Sequence, residues 1–179
     1  KAMLAIDSII DFAKDDAIST AACIAAWTSI CRTGDGDGSA DACVKASAAL
    51  AKLGSEIVPT AILAADLASA QGDYTTALTL YRQQFEPVLA RFSAGATFDP
   101  TVVADRVASD PEVADALRRT PVAIVALNNA ADTMMRVGGS GAEAAQLASI
   151  ALAAMPNNPE LIDTLVRALV SDRRFADAL

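Results

Sequence analysis

The sequence predicts an all-α protein, and three observations carry that prediction. Alanine supplies 41 of the 179 residues, and it is the best helix former while adding almost no side-chain volume. A capping side chain precedes proline at Asp99-Pro100, Asp110-Pro111, Thr120-Pro121 and Asn158-Pro159, the arrangement that starts helices. No segment alternates apolar and polar residues with the β-branched and aromatic enrichment of a strand. Glycine marks the stops at Gly54, Gly72, Gly95 and Gly138-Gly139, where a helix can end in a left-handed residue. In order, the helices are expected over about 1–14, 17–33, 39–53, 56–71, 74–93, 100–108, 111–118, 121–137, 141–155 and 159–171. Their short connections make successive helices antiparallel neighbours.

Composition narrows the function classes. Hydrophobic residues reach 53% but aromatics only 4%, and the mean hydropathy is +0.34, so helices should pack backbone-close. At 18.4 kDa the chain suits one domain or a short repeat array. There is no histidine, which excludes His-based acid–base work, Ser-His and Cys-His nucleophiles, and imidazole metal sites. A net charge of −8 with a pI near 4.4 disfavours nucleic acid as a partner, because phosphate contacts need clustered Lys and Arg. No apolar run approaches the roughly 20 residues that span a bilayer, so no membrane insertion by this segment is expected. The chain opens at Lys1 and stops at Leu179 within an apparent helix; it reads as a piece of a longer protein, with its compartment undetermined.

Several motifs carry candidate chemistry. Asp35, Asp37, Gly38 and Asp41 match positions three, five, six and nine of an EF-hand-type calcium loop. The first position is Thr33 and the twelfth is Val44, so both end acids are missing. An acidic hairpin turn, with Ser39 or Asp41 capping the next helix, explains the same residues. Gly138-Gly139-Ser140-Gly141-Ala142 lacks a P-loop lysine and a leading strand, and reads as an inter-helix turn. Asp7, Asp11, Asp15 and Asp16 read as a solvated helix face. Cys23, Cys31 and Cys43 form no CxxC pair, which disfavours a metal site. No catalytic residue and no cofactor are assigned.

Internal repetition is the remaining signal. Gly72-Asp73-Tyr74-x-x-Ala77-x-x-x-Tyr81, Gly139-x-x-x-x-Ala144 and Ala151-Leu152-x-x-x-Pro156-Asn157-Asn158-Pro159 share a turn-then-helix pattern. Phe175-x-x-Ala178 repeats the spacing of Tyr74 and Ala77. These segments resemble the tetratricopeptide repeat, and in particular the closing repeats of large bacterial proteins of that family. Such proteins are often tied to envelope assembly or secretion. The family's period of about 34 residues places repeats at 24–57, 58–91 and 125–158. Residues 1–23 form a leading helix and linker, 92–124 an irregular helical insert, and 159–179 a truncated repeat.

The resemblance implies a right-handed α-solenoid of antiparallel hairpins whose first helices line a concave groove. Its tryptophan position falls on Trp27. Its facing small-residue positions fall on Cys31/Cys43, Ala65/Ala77 and Asp132/Ala144. In that register the β-carbons of Cys31 and Cys43 approach the disulfide range of roughly 3.5–4.5 Å; two buried thiols are the other reading. The groove positions are Thr28, Arg32, Ile62, Asp66, Ser69, Asn129, Thr133, Arg136, Asp163 and Arg167. They match no Lys- and Asn-rich clamp for a terminal carboxylate. The expected function is therefore a non-catalytic scaffold binding a protein or peptide partner. The alternative is a structural spacer or self-association segment of a longer solenoid.

Overall fold

The structure, a computed structural model, describes residues 6, 17–33, 38–53, 58–93, 98–174 and 177–178. Among the described residues the chain is all-helical: nine α-helices and no strand. They are α1 (Ala17–Thr33), α2 (Gly38–Leu53), α3 (Val58–Ala70), α4 (Tyr74–Leu89), α5 (Pro100–Ser109), α6 (Pro111–Arg118), α7 (Pro121–Arg136), α8 (Gly141–Ala154) and α9 (Pro159–Ser171). The helix expected over 1–14 lies outside the described residues, apart from Ile6. The chain divides into two compact units, Lys1–Leu80 and Tyr81–Leu179. The division falls inside α4, within the repeat expected at 58–91.

In the first unit α1 packs against both α2 and α3, and α2 also touches α3. Ile24, Trp27 and Cys31 of α1 meet Ala42, Ala46 and Ala49 of α2 together with Leu63 and Leu67 of α3. The alanines are what let α1 and α2 approach. Cys31 and Cys43 are joined by a disulfide, with their Cα atoms 5.2 Å apart. Residues 17–23, which the repeat register leaves ahead of the first hairpin, belong to α1, because no breaker separates them from it.

In the second unit α8 is central, with α5, α6, α7 and α9 around it. A helix contacted from that many sides has little room for side chains. Accordingly Ala144, Ala145, Ala148, Ala151 and Ala154 are all buried beside Leu147 and Ile150. Arg118 of α6 donates from Nε to the Ala154 carbonyl at 2.9 Å, satisfying an acceptor in the last turn of α8. Arg82 reaches Glu143 at 2.8 Å and Gln146 reaches Thr101 at 2.9 Å.

Helix starts follow local chemistry closely. Asp99 accepts from the Thr101 and Val102 amides, Asp110 from Glu112, Ser140 from Glu143, and Asn158 from Glu160 and Leu161. Thr120 does not cap α7: its hydroxyl donates back to the Leu117 carbonyl at 2.7 Å instead. Ser39 likewise caps nothing. Helix α2 already begins at Gly38, so the Ser39 hydroxyl donates to the Cys31 carbonyl at 3.0 Å. The helix expected to reach residue 93 stops at Leu89 and tightens into a 3₁₀ turn at Ala90–Phe92. Pro87 removes one intrahelical donor just before that point.

Three helices end alike. Gly72, Gly138 and Arg173 all have positive φ, at 82°, 67° and 61°. In each case the following amide donates to a carbonyl five residues back: Asp73 to Ala68, Gly139 to Met134 and Arg174 to Leu169. This is the Schellman closure of α3, α7 and α9. Glycine takes that conformation freely, whereas Arg173 adopts it against its Cβ. Elsewhere the limit is space. A Cβ on Gly141 would lie 2.8 Å from the backbone nitrogen of Asp172 and 3.0 Å from its Cα, where α8 begins beside the end of α9.

Arg173→Gly is expected to stabilise the second unit by about 0.5–1 kcal/mol, seen as a rise in Tm of about 2–4 °C. Gly141→Ala is expected to cost about 1–3 kcal/mol by forcing α8 and α9 apart. Thermal melts of the two variants check both. A neutral Gly141→Ala would show that the two helix ends separate freely.

Candidate functional site

The positions expected to line a groove divide by burial. In the first unit Thr28 is only 2% exposed, beside Trp27, and its hydroxyl has no protein hydrogen-bond partner. Ile62 is also buried. Neither side chain can meet a ligand. The reason is that α1 contacts two helices, so its buried arc is wide enough to turn both Trp27 and Thr28 inward. Asp66 and Ser69 are half-buried on α3, and Arg32 is exposed in the last turn of α1, where a cation suits the negative helix end.

In the second unit Thr133 is 2% exposed and belongs to the core of α7. Asn129 is half-buried, and its side-chain oxygen accepts from Asn128 at 3.2 Å. The remaining positions form one ion-paired cluster across α7 and α9, and its centre is a residue outside the expected groove set. Asp132 accepts from Arg136 Nε at 2.7 Å on one carboxylate oxygen and from Arg167 Nη1 at 2.6 Å on the other. Arg167 also donates to Asp163 at 2.8 Å and to the Thr164 hydroxyl at 3.4 Å. The Asp132 side chain is 19% exposed, whereas Arg136 and Arg167 are 42% and 47% exposed.

The repeat register gives position 132 to a small residue at the α7–α8 crossing; its carboxylate links α7 to α9 instead. A signal for this was present in the chain. Asp132-x-x-x-Arg136 and Asp163-x-x-x-Arg167 have the same acid-before-base spacing, which pairs charges along one helix face.

Electrostatics follow from that geometry. Burial pushes the Asp132 carboxyl up, but the hydrogen bonds and charges of Arg167 and Arg136 outweigh it and hold it below the usual carboxylate range. Reciprocally, the Asp132 hydrogen bond raises Arg167 despite its partial desolvation. The cluster is charge-neutral, two aspartates against two arginines. It can present guanidinium edges to a partner only in competition with its own carboxylates.

Other expected chemistry is placed more simply. Asp35 and Asp37 lie outside the described residues. Asp41 sits in the first turn of α2 and pairs with Lys45 at 3.1 Å. Among the described residues no three His, Cys, Asp or Glu side chains cluster as a metal site, and no helix is long and apolar enough to cross a membrane. Cys23 is free and buried, and burial raises its thiol. No protein-family model, curated protein or solved structure matches the chain.

The depressed Asp132 carboxyl makes a signed prediction. A folded-state value below the unfolded one, about 3.9 for a free aspartate, means that stability is fully present above that value. It is lost as pH falls through the lower folded value. Asp132→Asn is expected to lower stability near neutral pH by about 1–2 kcal/mol, discounted for the exposure of both arginines. It is also expected to flatten the acid limb of the melting profile. Equal acid limbs in the two proteins would show that Asp132 gains nothing from its partners.

Proposed function

We propose that the chain is a segment of a tetratricopeptide-like α-solenoid serving as a non-catalytic protein–protein interaction scaffold, with a peptide or partner helix held against its first helices. One observation, made twice, supports this reading. In the first unit α1 packs against its hairpin partner α2 and against α3; in the second, α7 packs against its partner α8 and against α9. Stacked helical hairpins need first helices that meet both their own partner and the next hairpin. The shared closure of α3, α7 and α9 agrees with the same register. Asn129, Arg136, Asp163 and Arg167 then offer amide, guanidinium and carboxylate groups from rigid helices, which suits an extended peptide.

A second reading, a spacer or self-association segment, is favoured by a different fact. Arg136 and Arg167 are already paired within the chain, so a ligand acid must displace one of its own.

Probing a peptide array with the folded chain distinguishes the two. Replacing Asn129 and Arg136 with alanine is expected to weaken a bound peptide by about 1–3 kcal/mol for each hydrogen bond to a charged group lost. Stability should fall by about 1–2 kcal/mol with Arg136, because the partly buried Asp132 then keeps only one of its two donors. Asp35→Asn and Asp37→Asn should leave binding unchanged. If the turn variants abolish binding and the helix variants do not, the site lies at the acidic turn. An array without binders, joined to self-association in sedimentation, would replace the scaffold reading with the spacer.

A further inference from the structure

We propose that the Cys31–Cys43 disulfide is a locked structural pairing, closed to thiol exchange and to reshuffling with Cys23 once the helices have packed, so that the first unit is built for an oxidising compartment. The argument rests on where each sulfur sits. A thiolate that attacks one sulfur of a disulfide expels the other as a thiolate, so both access and the leaving group govern the rate. Cys31 is 4% exposed, in the last turn of α1, packed among Trp27, Ala42 and Ala46. Cys43 is half-buried in the second turn of α2 and is the more accessible of the two.

Attack at Cys43 therefore expels Cys31 as a thiolate into an apolar site at the negative end of α1. Burial and the helix dipole both disfavour that charge. Attack at Cys31 would expel the better-placed Cys43, but the incoming thiolate would have to pass through the core. Each route is blocked at one of its two requirements. The Ser39 hydroxyl, bonded to the Cys31 carbonyl at 3.0 Å, ties the helix ends together beside the bond.

Cys23 adds no third route. It lies eight residues before Cys31 on the same helix, about 12 Å along the axis, whereas bonded cysteines need Cα atoms roughly 4.4–6.8 Å apart. It is buried and its thiol is raised, so it supplies little thiolate.

The bond must then form before the helices close, from a disulfide donor R–S–S–R. The Cys43 thiolate attacks the donor and releases one R–SH. The Cys31 thiolate next attacks the mixed disulfide at Cys43 and releases the second. Two cysteine thiols are oxidised and one donor disulfide is reduced to two thiols. An oxidising compartment supplies that class of donor.

The test uses the full chain refolded in a glutathione–glutathione disulfide buffer, then exposed to millimolar dithiothreitol with and without guanidinium. Maleimide trapping and mass spectrometry count free thiols, while circular dichroism verifies that the buffer sample stays helical. The expected peptide map contains Cys31–Cys43 alone. Without reductant, no thiol should react in buffer and one in guanidinium. Reduction should be slower in buffer by about 100-fold or more, because only opened molecules react. Cys23→Ala should leave the Cys31–Cys43 pairing unchanged. The lock is overturned by buffer and guanidinium rates that differ by less than about 100-fold, by any pairing that includes Cys23, or by three reactive thiols after oxidative refolding.

Discussion

Close approach of helix backbones is the constraint on which the rest of this structure depends. With 41 alanines and 4% aromatics, the chain cannot fill wide gaps between helices; it must keep the gaps narrow. A buried alanine removes little more than one methyl group from water, worth about 0.8 kcal/mol, so cohesion comes from many small contacts. Such a core responds more sharply to added volume than to truncation, because there is little side chain to delete and no void to receive more. The hydrogen at Gly141, where the Asp172 backbone stands 2.8 Å from a would-be Cβ, is the limiting case. The 5.2 Å separation of Cys31 and Cys43 is its counterpart in the first unit.

That constraint also decides which polar residues remain exposed. Helices packed closely on two sides bury a wide arc, and Thr28, Thr133 and Thr164 lie within it at 2% exposure. Thr164 compensates by donating to the Glu160 carbonyl, and Arg167 reaches its hydroxyl. What stays outside on α7 and α9 mixes apolar side chains, Val125, Ile162, Val166 and Val170, with charged ones, and the charges meet each other first. Asp132 tolerates partial burial because two guanidiniums hold both of its oxygens. Removing either leaves a carboxylate that is desolvated and only half satisfied.

Helix boundaries were legible in the sequence because they depend on local chemistry. Proline after Asp99, Asp110 and Asn158 starts helices at the expected residues, and Gly72 and Gly138 close two of them. Side-chain roles one step beyond local chemistry were less legible. Thr120 and Thr28 are ordinary capping and groove residues by type, yet one hydroxyl turns back to Leu117 and the other faces the core. The first is a local bond three residues back that competes with capping; the second depends on how many neighbours a helix has, which no spacing along one helix reveals. Asp132 is the instructive case. A repeat register scores it as a misfit for a small residue, whereas the four-residue spacing to Arg136, echoed by Asp163 and Arg167, marks it as one of a charged pair.

The two units join their helices by devices that answer to different conditions. In the first, a covalent bond ties a hairpin's two helices, α1 to α2, and is indifferent to salt and to acid. In the second, Asp132 and Arg167 tie α7 to α9, two helices that are not successive in the chain. That tie weakens as carboxylates protonate, and as ions screen the exposed guanidiniums within a Debye length of about 8 Å at physiological ionic strength. The α1–α2 contact is thus fixed, while the α7–α9 contact is adjustable through the same arginines that face solvent. A partner carboxylate that took Arg167 from Asp132 would exchange an internal α7–α9 link for an external one. Binding at that surface would then be coupled to the spacing of the two helices, because Asp132 cannot remain desolvated without its second donor.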